Sequence, residues 1–233
     1  MGLLPITRGQ LMSAEKWVTF DCFGTLIDWQ TGFRRTLASV AGSRADELVD
    51  AYHKAEADTQ HEDKSRSYKD VLTTTLRKAA DSISLPLTGV QAEALVIQWG
   101  SLPIFPDTLP ALREMHRDGW KVGILTNCDS DLFARTLPTF EGQVEMVITS
   151  AEVRDYKPGL GHFNEFGRRT GIDRDRWVHA AVSWWHDMRP AKTLGIRGVW
   201  VDRENSGHDD SICTAHIHDM ASLPGTLRSF NIS

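Results

Sequence analysis

The sequence predicts an α/β fold, a doubly wound parallel sheet with an inserted helical cap, and three observations carry that reading. Five apolar runs of four to six residues lie at 17–20, 121–125, 146–149, 178–183 and 198–201. Each is rich in Val, Ile or aromatic residues and bounded by polar or turn residues, as buried strands are. Helix-patterned segments separate the last four runs, and this alternation argues for parallel βαβ units in a Rossmann-like core. Residues 31–101 break the alternation, with helix-like segments and no convincing strand.

In chain order, residues 1–14 read as a loose tail. Its apolar stretch is shorter than the ~7–15 residues of a signal-peptide core, and Ile6 stands where a myristoylation signal wants Ser or Thr. Met12 is a second candidate start. After the first strand, helices are expected at 33–40, 45–58, 68–80 and 90–98, interrupted by the polar stretch 59–67 and by Leu85-Pro86-Leu87-Thr88-Gly89. The segment 107–117 carries Leu109, Leu112 and Met115 on one helical face, with Gly119 as a stop. Further helices are expected at 129–137, 161–169 and 188–194. The division is therefore a core of residues 15–30 and 102–233 with a cap of residues 31–101.

Composition narrows the function. Twenty-six Lys+Arg against 31 Asp+Glu give a net charge of −5, and 41% of residues are hydrophobic. That excludes a disordered chain and speaks against nucleic-acid binding. No apolar run approaches the ~20 residues that cross a bilayer. Three Cys without C-x-x-C spacing make neither a disulfide framework nor a zinc site, and free thiols fit a reducing cytosol.

Asp21 ends the first strand, where α/β sheets place ligands. Gly24 lets the chain turn closely around it, and Thr25 offers a hydroxyl to orient a carboxylate oxygen. Lys157 directly follows another strand region and precedes Pro158; near Asp21 it would keep that carboxylate ionised. Backbone N–H groups after Thr126 and Asn127, at a helix start opened by Asp129, could bind an anion.

Four motifs in order resemble the haloacid dehalogenase superfamily, and within it the L-2-haloacid dehalogenase type. They are Asp21-Cys22-Phe23-Gly24-Thr25-Leu26, Ile124-Leu125-Thr126-Asn127, Tyr156-Lys157-Pro158, and the strand 178–183 with Trp184-Trp185-His186-Asp187. The resemblance implies that Asp21 is a nucleophile, that Thr126 holds its oxygen, that Lys157 balances charge, and that Asp187 is the fourth-motif acid. It covers the core from about residue 17 to 203 and suggests a homodimer through the cap.

Two departures point to the reaction. Most of the superfamily are magnesium phosphohydrolases, and they need an acid two residues after the nucleophile. Phe23 stands there and carries no proton. They also need a second fourth-motif carboxylate on the metal, and Val182 stands there; magnesium wants hard oxygen ligands. No metal and no cofactor are therefore expected. What remains is attack by Asp21 on an sp3 carbon, giving an ester that water cleaves at the Asp21 carbonyl. Asp187, with Ser183, would place that water. The expected substrate is a small 2-substituted carboxylic acid. Halide is the first leaving group and a ring amine, as in azetidine-2-carboxylate, the second. An idle binding relative is a third reading and a phosphatase a fourth.

For substrate contacts the expectation names Cys22 and Phe23 beside the nucleophile, Asn127, and the aromatic residues Trp29, Trp184 and Trp185, with Trp99 a further candidate. The family's cap arginine has no counterpart; Tyr52 or its neighbours stand there, with Lys54 close by and Arg34 or Arg35 as substitutes in space. Trp184 replaces a family asparagine and Phe163 a family tyrosine. The thiols of Cys22 and Cys128 read as buried fillers, His186 as structural, and His208-Asp209-Asp210 with His216 and His218 as a solvated loop.

Overall fold

The structure, a computed structural model, describes residues 15–62 and 66–232; the expected tail at 1–14 lies outside them. Strands β1 (Lys16–Phe20), β2 (Trp120–Thr126), β3 (Met146–Thr149), β4 (Trp177–Ala181), β5 (Arg197–Val201) and β6 (Ala215–Ile217) form one parallel sheet in the order β3-β2-β1-β4-β5-β6. The doubly wound core is therefore present. β1 is central, and its residues are covered on both faces: Trp17, Val18, Thr19 and Phe20 are all buried. The chain winds from β1 outward to β3, then crosses to the other side at β4. Phe20 pairs with Ile124 on one flank and Ala180 on the other. The carboxyl ends of β1, β2 and β4 thus open together at the point where the strand order reverses.

Between β1 and β2 lie α1 (Trp29–Ala41), α2 (Ala45–Glu62), α3 (Tyr68–Ser82), α4 (Gly89–Ala92) and α5 (Ala94–Ile97). The expected single helix at 90–98 is two short turns, because the chain leaves helical geometry at Glu93. The remaining helices are α6 (Thr108–Arg117), α7 (Ser130–Thr136), α8 (Ser150–Val153), α9 (Gly161–Thr170), α10 (Arg189–Leu194) and α11 (Leu223–Ser229). The short elements β6, α8 and α11 were not expected from the sequence. Among the described residues no helix is long and apolar enough to cross a membrane.

The helical region and the sheet share one core. Val18, Phe20 and Ile124 belong to the same buried cluster as Phe33, Leu48, Tyr52, Leu76 and Trp99. The two connecting segments run side by side: Asp28 N–H donates to Pro103 O (2.8 Å) and Phe105 N–H to Leu26 O (3.0 Å). A Cβ on Gly32 would fall 2.4 Å from Leu102 Cδ2 and 3.1 Å from Pro103 Cδ, so any larger residue would have to push the Leu102 side chain aside. The Arg203 guanidinium fastens the junction, meeting both carboxylate oxygens of Asp107 at 3.0 Å and donating to Thr25 O at 2.9 Å. Asp129 ties down α3. Its carboxylate accepts the N–H groups of Tyr68 (3.0 Å) and Lys69 (2.9 Å), so its side chain caps α3 across the interface and not its own helix α7.

Candidate active site

Asp21 leaves the end of β1 with its side chain 14% exposed. Gly24, at φ +95°, turns the following chain back; a Cβ there would lie 3.1 Å from Val182 Cγ1 and 3.3 Å from Trp29 Nε1. The Thr25 hydroxyl accepts from Val182 N–H at 2.9 Å and donates to Asp21 Oδ2 at 3.2 Å. Asp21 Oδ1 accepts from Lys157 Nζ at 2.9 Å, and the same ammonium donates to Asp187 Oδ1 at 2.6 Å. Lys157 is 1% exposed and held by its own backbone: its N–H donates to Asn127 Oδ1 (2.7 Å), and Asn127 Nδ2 donates back to its carbonyl (3.1 Å). Asn127 thus fixes the loop that carries the lysine.

A buried chain supports Asp187 from below. Trp177 Nε1 donates to Thr19 Oγ1 at 2.8 Å, and that hydroxyl lies 2.9 Å from His179 Nδ1, closer than its other acceptor, Val178 O, at 3.4 Å. His179 Nε2–H then donates to Asp187 Oδ1 at 3.0 Å. This tautomer follows from the direction of the donors. The remaining oxygen, Asp187 Oδ2, is buried without a protein partner, as is Thr126 Oγ1.

The charges follow from these contacts. Burial pushes the Asp187 carboxyl up, but Lys157 and His179 together more than offset it and hold it down at about 2. Asp21 is raised above the ordinary carboxylate value by burial and the neighbouring Asp187 charge, with Lys157 opposing. Burial works against the Lys157 charge, yet the two carboxylates raise its pKa, so it stays an ammonium ion.

These groups floor a cavity of about 300 Å³. Its floor is Asp21, Phe23, Thr126, Asn127, Lys157, Val182, Ser183, His186 and Asp187; its far wall is Trp29, Phe33, His53, Glu56, Tyr68 and Trp99. Ser183 Oγ accepts from His186 N–H at 3.1 Å and lies 3.0 Å from its Nδ1, fixing that imidazole in the floor. Burial pushes Glu56 up to about 7.

The sequence therefore names the floor well and the far wall poorly. Asp21, Thr25, Asn127, Lys157, Ser183 and Asp187 converge, and Phe23, Trp29, Trp99 and Thr126 line the cavity. Thr126 differs in one respect: its hydroxyl makes no bond to Asp21, whose oxygen is held by Thr25. Four expected contacts lie elsewhere. Cys22 is fully buried in the core and absent from the lining. Tyr52 is fully buried edge-on to Phe33 (5.4 Å), and its neighbour His53 faces the cavity instead. Trp184 and Trp185 belong to a π-helical turn, Trp184–Met188, which directs Asp187 inward and the two indoles outward. Trp184 Nε1 donates to Asp209 O at 2.7 Å, and Trp185, 50% exposed, carries the Arg189 guanidinium 4.1 Å above its ring. Both line a second cavity of about 360 Å³, on the other side of Trp29 and Val182.

Among the described residues, no arginine of the helical region lines the cavity. Arg34 sits on the surface 4.0 Å from Asp46, Arg35 lines a separate cleft beside Gly32, and Lys54 is exposed and outside the lining. Among the described residues, Lys157 is the one Lys or Arg in the cavity. His179, His53, Glu56 and Tyr68 were missed; of these only His179, a lone imidazole in the apolar strand β4, stands out in the sequence.

The carboxylates that the floor offers a divalent ion are those of Asp21 and Asp187. Val182 offers no oxygen from its side chain, and among the described residues no third carboxylate, imidazole or thiol joins Asp21 and Asp187 within ligand range.

A family model described as haloacid dehalogenase-like hydrolase matches residues 15–201. The chain belongs to that family. Two curated relatives match in part. A phosphatase of Mycobacterium tuberculosis (strain CDC 1551 / Oshkosh) is 27% identical over 53% of this chain and 55% of its own length. Haloacetate dehalogenase H-2 of Moraxella sp. (strain B) is 23% identical over 61% of this chain and 64% of its own. The chain thus spans under two thirds of either relative. The fold is that of L-2-haloacid dehalogenase RSc1362 (TM-score 0.82, 21% identity, 93% of this chain and 100% of that one). It is also that of the L-2-haloacid dehalogenase from Xanthobacter autotrophicus (TM-score 0.82, 15% identity, 92% and 98%). The HAD phosphatase from Thermococcus onnurineus is similar at a TM-score of 0.63 (22% identity, 91% and 97%).

Proposed function

We propose that this hydrolase displaces a substituent from C2 of a small carboxylic acid through an ester on Asp21, without a metal, and that halide is the leaving group. One observation carries the reading: the Asp21 carboxylate is oriented by Lys157 and Thr25 in a cavity where Phe23 and Val182 supply neither a leaving-group acid nor a metal ligand. In the first step an Asp21 oxygen attacks C2, and halide leaves with the electron pair of its bond. A halide ion needs no proton, so Phe23 is no obstacle. In the second step water adds to the Asp21 side-chain carbonyl carbon, and the acyl–oxygen bond breaks. The 2-hydroxy acid departs with the old aspartyl oxygen, water's oxygen stays on Asp21, and one proton is released. Asp187 Oδ2, buried and without a protein partner, orients that water. At a pKa of about 2 it is a hydrogen-bond acceptor and a poor store for the proton. The similarity to solved L-2-haloacid dehalogenases supports the framework, and the phosphatase relative names the competing chemistry.

The test is incubation with L-2-chloropropionate in EDTA, with chloride measured, followed by single turnover in heavy-oxygen water. Chloride release with label in the Asp21 peptide is expected. Magnesium-dependent phosphate release from p-nitrophenyl phosphate, with no chloride from the haloacid, would overturn the proposal.

A second reading is favoured by the far wall. A wall of Glu56, Trp29, Phe33, Tyr68 and Trp99, with no Arg among the described residues, suits an amino group better than a second anion. The same attack at C2 of azetidine-2-carboxylate would break the strained C–N bond and, after hydrolysis, give 4-amino-2-hydroxybutanoate. That product, with no chloride from the haloacid, would select this reading.

A further inference from the structure

Three strands away from Asp21, at the sheet edge, β5 and β6 bring together residues that the reaction does not use. At ~4.8 Å per strand this is about 14 Å from β1. Trp200 pairs with His216 and Val201 with Ile217, so the next pair in register is Asp202 with His218. A strand's period of two puts Trp200 and Asp202 on one face with His216 and His218, while Ile217 points into the core. A donor atom from each of Asp202, His216 and His218 lies within 4.8 Å of the other two.

The surroundings orient each ligand. His216 Nε2 is 3.4 Å from Asp202 Oδ2, while its Nδ1 is 3.2 Å from Asp210 Oδ2. Its ring is stacked on Trp200 at 4.3 Å, which fixes its plane. The His218 Nδ1 faces the Asp202 backbone carbonyl at 3.0 Å. That contact makes Nδ1 the protonated nitrogen and Nε2 the lone-pair nitrogen. Metal-binding histidines are characteristically held this way, with the other ring N–H on a carboxylate or a backbone carbonyl. Asp202 is itself buried and accepts the Ser206 N–H at 3.0 Å. The imidazoles are exposed, so an ion can enter from solvent.

We infer that Asp202, His216 and His218 form a binding site for a borderline divalent transition metal such as Zn²⁺, with Asp210 and the Asp202 carbonyl as orienting partners. Two imidazoles and one carboxylate suit zinc, cobalt or nickel and disfavour magnesium or calcium. Three protein ligands leave a fourth position for water. The ion would cross-link the edge strand β6 to β5 and so act on stability rather than on the reaction. The expected solvated loop is thereby read differently, because His216 and His218 share one face of an edge strand.

The experiment uses the untagged full-length chain, stripped with EDTA and then titrated with Zn²⁺ by calorimetry, with thermal melting in parallel. Wild-type protein is expected to bind about one equivalent that Asp21→Asn retains, and to melt at a higher temperature with zinc. His216→Ala and His218→Ala should each melt cooperatively without zinc, lose that equivalent and lose the thermal shift. Asp210→Asn should weaken binding by about 10–100-fold. Failure of the wild type to take up zinc, or equal uptake by both histidine variants, would overturn the site. Neither result bears on chloride release, so the reaction and this site stand or fall separately.

Discussion

The two sides of the cavity are built on different terms. The floor comes from strand ends and the loops just beyond them. Its ions are cross-bonded: one ammonium holds two carboxylates, and Thr25, Asn127 and His179 each hold one member in place. The far wall comes from the helices between β1 and β2. There, four aromatic side chains line the cavity together with Glu56, whose carboxyl is pushed up by burial, with no ion pair to a cation among the described residues. A rigid polar floor fixes what happens to a bond, whereas an apolar wall with one adjustable charge decides which molecule presents that bond. Substitutions on the two sides should therefore fail differently, in kcat on the floor and in KM on the wall.

The largest effect is expected at the nucleophile. Asp21→Asn keeps the shape and the Thr25 contact but removes the attacking charge, and turnover should fall by about 10⁴-fold or more. Chloride release followed by ion chromatography measures it. Its stability should hold or rise, because the variant no longer places two carboxylates beside one ammonium. Wild-type turnover by Asp21→Asn would take the chemistry off the floor.

Lys157→Met comes next. It leaves Asp21 and Asp187 buried without their counterion, which costs ~3–5 kcal/mol of stability near neutral pH. Turnover should fall by about 10²–10³-fold as transition-state charge goes unbalanced. The sign with pH is fixed. Without the ammonium both carboxyls have folded-state pKa values above their unfolded ones, so the loss is full above the raised folded values, shrinks as pH falls through them, and is gone below the unfolded values. In the wild type, Asp187 is depressed from 3.8 to about 2, so its contribution is present above pH 4 and lost as pH falls through about 2. Denaturant melts of both proteins at pH 7 and pH 4 check this. A stability gap that widens in acid would contradict the bridge.

The contrast between floor and wall also explains what could be read in advance. Asp21 was legible because a five-residue buried strand ends on a carboxylate, and a strand end in such a sheet points at the site whatever else the fold does. Thr126 was legible for the same reason; Lys157 and Asp187 were legible because their motifs come in order, although Lys157 does not directly follow a strand as expected, since α8 lies between it and β3, and Asp187 lies in the turn beyond β4. The wall was not. The helix α2 is polar along most of its length, and which of His53 or Tyr52 turns inward depends on how α2 packs on α1 and α3, with no local signal for it. Trp184 and Trp185 were misplaced because the turn they occupy is π-helical, and one extra residue per turn rotates the indoles away from Asp187. The three residues of β6 were too few to show a period.

The smallest effect is the most informative about substrate. Burial places the pKa of Glu56, a carboxyl of the wall, at about 7, so its charge changes near neutral pH. Below that value it is neutral, and above it the carboxylate faces the cavity beside His53 and Tyr68. A haloacid is an anion throughout, so ionised Glu56 repels it and KM should rise as pH passes 7. A cyclic amino acid brings an ammonium group, so KM should fall over the same interval. Either change is expected to be about 3–10-fold, or ~0.6–1.4 kcal/mol. Glu56→Gln removes that titration and should reduce the pH slope of KM while leaving kcat close to wild type, because the hydrogen bonds that hold Asp21, Lys157 and Asp187 run through other residues. Steady-state KM at pH 6, 7 and 8 for both proteins measures it. An unchanged slope in the variant would move the specificity element off Glu56. A fall in kcat equal to the change in KM would mean that the wall takes part in the chemistry and that the division of labour between the two sides is wrong.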